Sequence, residues 1–166
     1  QESALLPHAN PGLMSERDLS TLREVNVSMG IMLETTSERL LGPGLAHDRA
    51  PDKVPARRLK TIALAGKLQI PFTTGILVGI GENRADRLRA LEAIAAAHRR
   101  HGHVQEVIVQ NFLPKAGTAM HLAPPCPPDT FLEAIALARL ILPPEIHLQA
   151  PPNLSDDFAT LLDAGI

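Results

Sequence analysis

Residues Pro71 to Glu82 read P-F-T-T-G-I-L-V-G-I-G-E, an apolar run that breaks into a glycine-bearing turn. Phe72, Ile76, Leu77, Val78 and Ile80 do not alternate with polar residues, and a strand with no polar face is a parallel strand covered on both sides. This stretch is therefore expected at the centre of a parallel sheet. Gly75, Gly79 and Gly81 lack a Cβ, so the backbone can approach a flat ligand closely or take positive φ where the strand gives way to a helix. In α/β proteins that end of a strand is where ligands bind.

The remainder of the chain repeats this unit. Leu5 and Leu6 read as the tail of a strand, with Pro7 to Gly12 as the loop after it. Ser15-Glu16-Arg17-Asp18 resembles a capping box opening a short helix with Leu19, Leu22 and Val25 inward. A strand is expected from about Val25 to Leu33, delivering Glu34-Thr35-Thr36-Ser37 at its C-terminal end. Gly42 to Asp52 reads as a surface loop, and Pro55 suits the first turn of a helix buried through Leu59, Ile62, Ala63 and Leu68. After the central strand, Asn83 with Asp86 marks a helix start; Leu88, Leu91 and Ile94 continue it, and Gly102 ends it. A strand from Val104 to Phe112, a Pro-rich loop, a helix from about Asp129 to Leu142, a short strand from Ile146 to Ala150 and a last helix with Phe158, Leu161 and Leu162 inward complete the order.

Alternating helices and strands with short connections give right-handed crossovers and a parallel sheet. A doubly wound sheet and an arc of a (β/α) barrel both satisfy the pattern. The barrel is preferred because polar or glycine features recur at successive strand ends: Glu34, Gly79 to Glu82, Asn111, and Gln149 with Asn153. The fold class is α/β, a partial (β/α) barrel incomplete at both ends.

Composition narrows the function. With 166 residues, 45% hydrophobic, and a formal charge of -2, the chain has ample material for a core. No apolar run approaches the ~20 residues of a membrane span. A near-neutral balance with 2% aromatics offers nucleic acid neither a basic nor a stacking surface. The single Cys126 cannot form an internal disulfide, which suits a cytoplasmic protein. A small-molecule ligand is the expectation, with no nucleic-acid or membrane partner. Gln1 is no initiator, and Gly165 reads as a helix stop before a further strand at Ile166, so the chain reads as an internal piece.

Gly75-Ile76-Leu77-Val78-Gly79-Ile80-Gly81-Glu82 resembles the G-x-I-x-G-x-x-E motif of radical S-adenosylmethionine (SAM) enzymes, with Leu77 where the pattern has Ile. Met32-Leu33-Glu34-Thr35 and Arg58-Leu59-Lys60-Thr61-Ile62 are similar to two further segments of the biotin-synthase-like branch. L-L-P-H-A-N-P-G, S-M-G-I-M-L-E-T-T-S, V-Q-E-V-I-V-Q-N-F, L-Q-A-P-P-N-L and L-L-D-A-G-I extend the likeness over essentially the whole chain. Together they resemble the 7,8-didemethyl-8-hydroxy-5-deazariboflavin synthase family, in its cyclising half. The resemblance implies that residues 1–166 are the central to C-terminal part of a radical SAM barrel. It also implies a radical ring closure of a hydroxybenzyl-ribityl-diaminouracil adduct with loss of ammonia, a companion tyrosine-coupling half, fused or separate, and an electron donor.

The same resemblance implies SAM and a 4Fe-4S cluster as cofactors. Glu34 would accept both hydroxyls of the SAM ribose, and Arg58 would fork onto the methionyl carboxylate. Gly75, Leu77, Gly79, Ile80, Glu82 and Asn111 would surround the adenine. His8, Asn10, His47, Lys53, Gln149 and Asn153 are substrate-side candidates. Each also has a plainer reading: Glu34 capping a turn, Arg58 snorkelling, Glu82 near a helix N-terminus, Asn111 bonding backbone. A rival within the class is another biotin-synthase-like enzyme or the tyrosine-coupling half; outside it, a non-catalytic nucleotide-binding α/β module or a scaffold with filled strand ends. His98, His101 and His103 straddle a helix end without cysteine or acidic company and read as C-terminal cations rather than a zinc site. Cys126 reads as inert.

A cluster of this kind needs three thiolates, usually C-x3-C-x2-C, and the chain has one cysteine, so the ligands are expected outside it. These residues by themselves should therefore show no turnover after iron and sulfide reconstitution. Product formed by the isolated 166 residues would refute that.

Overall fold

The computed structural model describes residues 4–154 and 157–166. Strands β1 (His8–Ala9), β2 (Ser28–Gly30), β3 (Phe72–Val78), β4 (Val104–Asn111) and β5 (His147–Gln149) lie side by side in chain order, every neighbouring pair parallel. Helices α1 (Glu16–Leu22), α2 (Pro55–Lys67), α3 (Arg84–His101), α4 (Pro128–Ile141) and α5 (Phe158–Asp163) alternate with them. Each helix packs against the next. A doubly wound sheet reverses its strand order and carries helices on both faces. This sheet steps always in one direction with one helical layer, which is an open arc of a (β/α) barrel whose edges are β1 and β5.

The core lies between sheet and helices. Met29, Ile31 and Leu33 lead into it from β2 and its extension, Phe72, Ile76 and Val78 from β3, and Val107 and Val109 from β4. They meet Ile62, Ala65, Leu91, Ile94, Ala134, Ile135 and Ala138 from α2, α3 and α4. Strand alternation turns the intervening residues, Ser28, Thr73, Gly75, Leu77, Glu106, Ile108 and Gln110, toward the concave face. There Thr73 Oγ1 donates to Glu106 Oε2 at 3.2 Å. At Gly75 the strands come so close that a Cβ would run into the Ile108 carbonyl oxygen and the Met32 Cε. This glycine is required by sheet packing, not by a turn.

Local signals set the helix ends. Ser15 and Asp18 cap α1 reciprocally, and Asn83 and Asp86 do the same for α3, with Asn83 Oδ1 accepting from the Asp86 amide at 2.9 Å. Gly102 ends α3 at φ 65°, where a side chain is disfavoured. Several sequence expectations need correction. Leu5 and Leu6 are exposed and precede the first strand, which is His8–Ala9, so His8 lies on a strand and not in the loop. The expected strand from Val25 begins at Ser28, and Val25 is exposed in the turn after α1. Ala63 is exposed, because α2 turns Arg58, Thr61, Ile62, Ala65 and Gly66 inward. In α5 only Leu161 is buried, while Phe158 and Leu162 face solvent.

The three histidines at the end of α3 diverge. His98 Nε2 lies 3.2 Å from Glu145 Oε1, His101 meets His103 edge to face, and His103 Nε2 donates to the Ile62 carbonyl at 2.9 Å. Among the described residues no group of histidine, cysteine and acidic side chains is arranged to hold a metal ion. Burial pushes His103 down from 6.5 to about 4, against the Ile62 hydrogen bond and with help from the charges of His101 and His98.

Two outcomes follow from this packing. Gly75→Ala should destabilise the protein by about 2–3 kcal/mol, read from urea unfolding, because neither the Ile108 backbone nor the sheet spacing can yield without cost. His103 is neutral when folded, whereas the unfolded chain takes up its proton near 6.5. Its contribution is therefore intact above that value and is lost as pH falls toward about 4. Urea midpoints of wild type and His103→Gln should diverge less at the acid end of that window than at neutral pH; parallel curves would exclude the assignment.

Candidate functional site

Beyond Gly30 the chain leaves the ladder and returns at Glu34, which bridges to Ile76 of β3. The Glu34 amide donates to the Gly75 carbonyl and its carbonyl accepts from the Leu77 amide, each at 2.9 Å. These two bonds hold Glu34 at φ 63°, a left-handed conformation rare outside glycine. A strained acidic residue pinned to the central strand's tip is a geometry the fold pays to keep.

Its carboxylate is the hub of the strand ends. Oε2 accepts from His47 Nε2 at 2.9 Å, and Oε1 accepts from both Lys53 Nζ and Arg58 Nη1, the latter at 3.2 Å. Only 11% of the side chain is exposed. Burial would raise its pKa, but the hydrogen bonds from His47 and Lys53 and the charges of Lys53 and Arg58 outweigh this and bring it from 4.5 to about 2. Glu34 is thus a permanent anion, an acceptor and never a proton donor near neutrality.

Arg58 is 7% exposed and largely committed to the protein. Nε donates to the Asp52 carbonyl at 2.8 Å, Nη2 to Asp52 Oδ2 at 3.3 Å, and Nη1 to the Met32 carbonyl as well as Glu34. The guanidinium expected to fork onto a ligand carboxylate instead clamps the turn Pro51–Lys53 to the β2 tip. Lys53 and His47, proposed from sequence as loop residues facing substrate, meet Glu34. Asp52 went unnoticed in the sequence, although a carboxylate immediately before Lys53 was the available signal.

The glycine turn forms a second, separate unit. Glu82 folds back so that Oε1 and Oε2 accept from the Gly79 amide at 3.0 and 3.1 Å, and Oε2 from the Ile80 amide at 2.9 Å. Arg87 Nη1 donates to Glu82 Oε1 at 3.0 Å and Nη2 to Glu133 Oε2 at 3.2 Å. The Gly79 and Ile80 amides, near the expected adenine position, are therefore taken, Ile80 is buried, and Glu82, 2% exposed, clamps its own turn. Arg87, one turn into α3, was missed in the sequence although its spacing from Glu82 across the Asn83 cap was visible. Gly79, at φ 93°, packs against Cys126, whose Cβ would lie 2.7 Å from a Cβ there. Burial, then the Glu82 charge, pushes the Cys126 thiol up to about 11, so it is not a thiolate.

Beyond the glycine turn, on β4, lies Asn111, paired in register with Val78. Its Nδ2 donates to the Leu154 carbonyl at 2.9 Å, and its buried Oδ1 has no partner among the described residues. Leu77, Gln110, Asn111, Phe112 and Leu154 line a cavity of about 80 Å³. A neighbouring cavity of about 230 Å³ lies between Asn111, Cys126, Phe131, Leu154 and Leu161. Glu34, Arg58 and Gly79 line neither. Glu34, Leu77 and Asn111 stand at neighbouring strand ends, the outer two about 12 Å apart at the backbone by register. His8 sits elsewhere, its Nδ1 2.7 Å from Ser28 Oγ at the start of β2, about 16 Å from the level of Glu34 by the register against β3. Asn10 and Asn153 are exposed, and Gln149 is half-buried on β5.

A family model described as the radical SAM superfamily matches residues 5–94. A 7,8-didemethyl-8-hydroxy-5-deazariboflavin synthase of Methanoculleus marisnigri is 56% identical over 165 residues, covering 99% of this chain and 48% of that protein. An FO synthase of Mycobacterium tuberculosis is 51% identical over 169 residues, covering all of this chain and 20% of its own length. The chain thus spans about half the length of the archaeal relative and a fifth of the mycobacterial one. Among solved structures, methylornithine synthase superposes with a TM-score of 0.77 at 22% identity over 97% of this chain and 45% of that one. A maturase of the [FeFe]-hydrogenase gives 0.76 at 16% identity over 96% and 36%. One-directional parallel strands, the glycine turn Gly75 to Glu82 and the family match converge: the chain belongs to the radical SAM superfamily.

Proposed function

We propose that this chain, as the central to C-terminal part of a radical SAM barrel, serves a 7,8-didemethyl-8-hydroxy-5-deazariboflavin synthase in its cyclising step. Identity of 56% over 99% of the chain supports the family-level reading. The observation that carries the site is the Glu34 carboxylate, ionised down to a pH of about 2 and held rigidly at a strand tip.

An anion that only accepts is suited to the paired hydroxyls of a ribose. With Glu34 on the sugar, Leu77 and Asn111 lie across β3 and β4 where a nucleobase attached to that sugar would reach, and Asn111 Oδ1 has an unmet need for an N–H donor. Arg58 positions Glu34 and the Pro51–Lys53 turn, and among the described residues one N–H of Nη2 has no acceptor and could serve a ligand. These residues fit an adenosyl group. They do not fit the cluster, because Cys126 is the chain's one thiol and is held protonated behind Gly79. SAM and a reduced cluster, when bound, would supply the radical chemistry; the residues present would bind and orient the adenosyl group. The substrate is a small molecule, the adduct named above, and the further partners are the tyrosine-coupling half and an electron donor, in the cytoplasm.

Full-length protein containing this chain, reconstituted with its cluster, should convert the hydroxybenzyl-ribityl-diaminouracil adduct to a fluorescent deazaflavin and leave the tyrosine-coupling substrates untouched. Glu34→Gln should weaken binding of 5′-deoxyadenosine about tenfold or more, as expected for loss of charge-assisted hydrogen bonds. Turnover of the coupling substrates instead, or an unchanged nucleoside affinity, would overturn the assignment.

A further inference from the structure

The donors around Glu34 are unequal. His47 is 6% exposed and its backbone amide is tied to the Leu40 carbonyl. Arg58 keeps Asp52 and Met32 whatever happens at Glu34. Lys53 is 30% exposed, stands at the end of a three-residue turn, and has Glu34 as the one partner of its ammonium among the described residues. It also shares Oε1 with Arg58, so this oxygen already has two charged donors. A compact ammonium on a flexible stem exchanges partners more readily than a fork fixed at several acceptors.

We infer that Lys53 holds, on Glu34 Oε1, the place that a vicinal diol needs, and that the diol displaces it. The released ammonium then turns to a second ligand, a heterocycle bearing carbonyl oxygens, bound beside the first. The inference rests on Glu34 as the acceptor for the sugar. Its consequence is order and coupling. The diol-bearing ligand prepares the second site, and by reciprocity the second ligand, by drawing Lys53 away from Glu34, favours the first. Lys53 is here a positioning and specificity residue that links two ligands, and Arg58 keeps Glu34 anchored while the exchange takes place.

The test is calorimetric titration of the full-length protein with 5′-deoxyadenosine, with the hydroxybenzyl-ribityl-diaminouracil adduct, and with each in the presence of the other. Wild type should show each ligand tightening the other about fivefold. In Lys53→Met, and in Lys53→Gln as an uncharged variant that keeps a donor, 5′-deoxyadenosine should bind at least as tightly as in wild type. The adduct should bind more weakly, and the mutual enhancement should vanish. Coupling that persists in both variants, or a loss of nucleoside affinity in Lys53→Met as large as that in Glu34→Gln, would overturn the inference. If Glu34→Gln alone leaves nucleoside affinity unchanged, the sugar reading fails first, and Lys53 with it.

Discussion

A carboxylate almost withdrawn from water must find donors on every side or give up its charge. At Glu34 the donors come from three places in the sequence: the loop that carries His47, the turn that carries Lys53, and the first turns of α2 that carry Arg58. The ion cluster therefore does more than fill a strand tip. It gathers the whole segment between β2 and α2 and fixes its height above the sheet, with Arg58 bonding both the Met32 carbonyl beneath and Asp52 above. Without the pair of backbone bonds to Gly75 and Leu77, the carboxylate would have no defined position around which these groups could assemble.

The glycine turn applies the same physics to a different end. Glu82 is also buried and ionic, yet its oxygens are spent on the amides of its own turn and on Arg87. A motif that reads as a ligand cradle is here an internally satisfied cap. What the turn contributes to a site is shape: it ends β3 sharply, starts α3, and brings the 113–127 segment down over Gly79 through the Cys126 amide, which donates to the Phe112 carbonyl at 2.9 Å. The two anions thus divide the work, one gathering loops around a strand tip and one sealed beneath a loop.

Much of this was legible in the sequence because it is local. The buried character of β3, the reciprocal caps at Asn83 and Asp86, and the stop at Gly102 depend on residues a few positions apart. Glu34 and Arg58 could be picked out by type and position, but what they touch could not. Arg58 binds Met32 and Asp52 because the loop between them closes on itself, and nothing in local periodicity reports that closure. The misplaced faces have a similar cause. Val25, Ala63, Phe158 and Leu162 lie at the margins of helical stripes or past a helix end, where a small rotation of the element decides between core and water. Glu82 shows the converse case: the residue was noticed, but a side chain's choice between ligand and its own backbone is decided by tertiary packing around Arg87.

Cys126 offers a use that chemistry at the strand tips does not. A protonated thiol packed against Gly79 and lining the cavity of about 230 Å³ reacts slowly with an alkylating reagent, and only with one small enough to enter that cavity. Its rate of labelling then reports what fills that cavity, a native probe in the chain whose readout requires neither cluster nor cosubstrate.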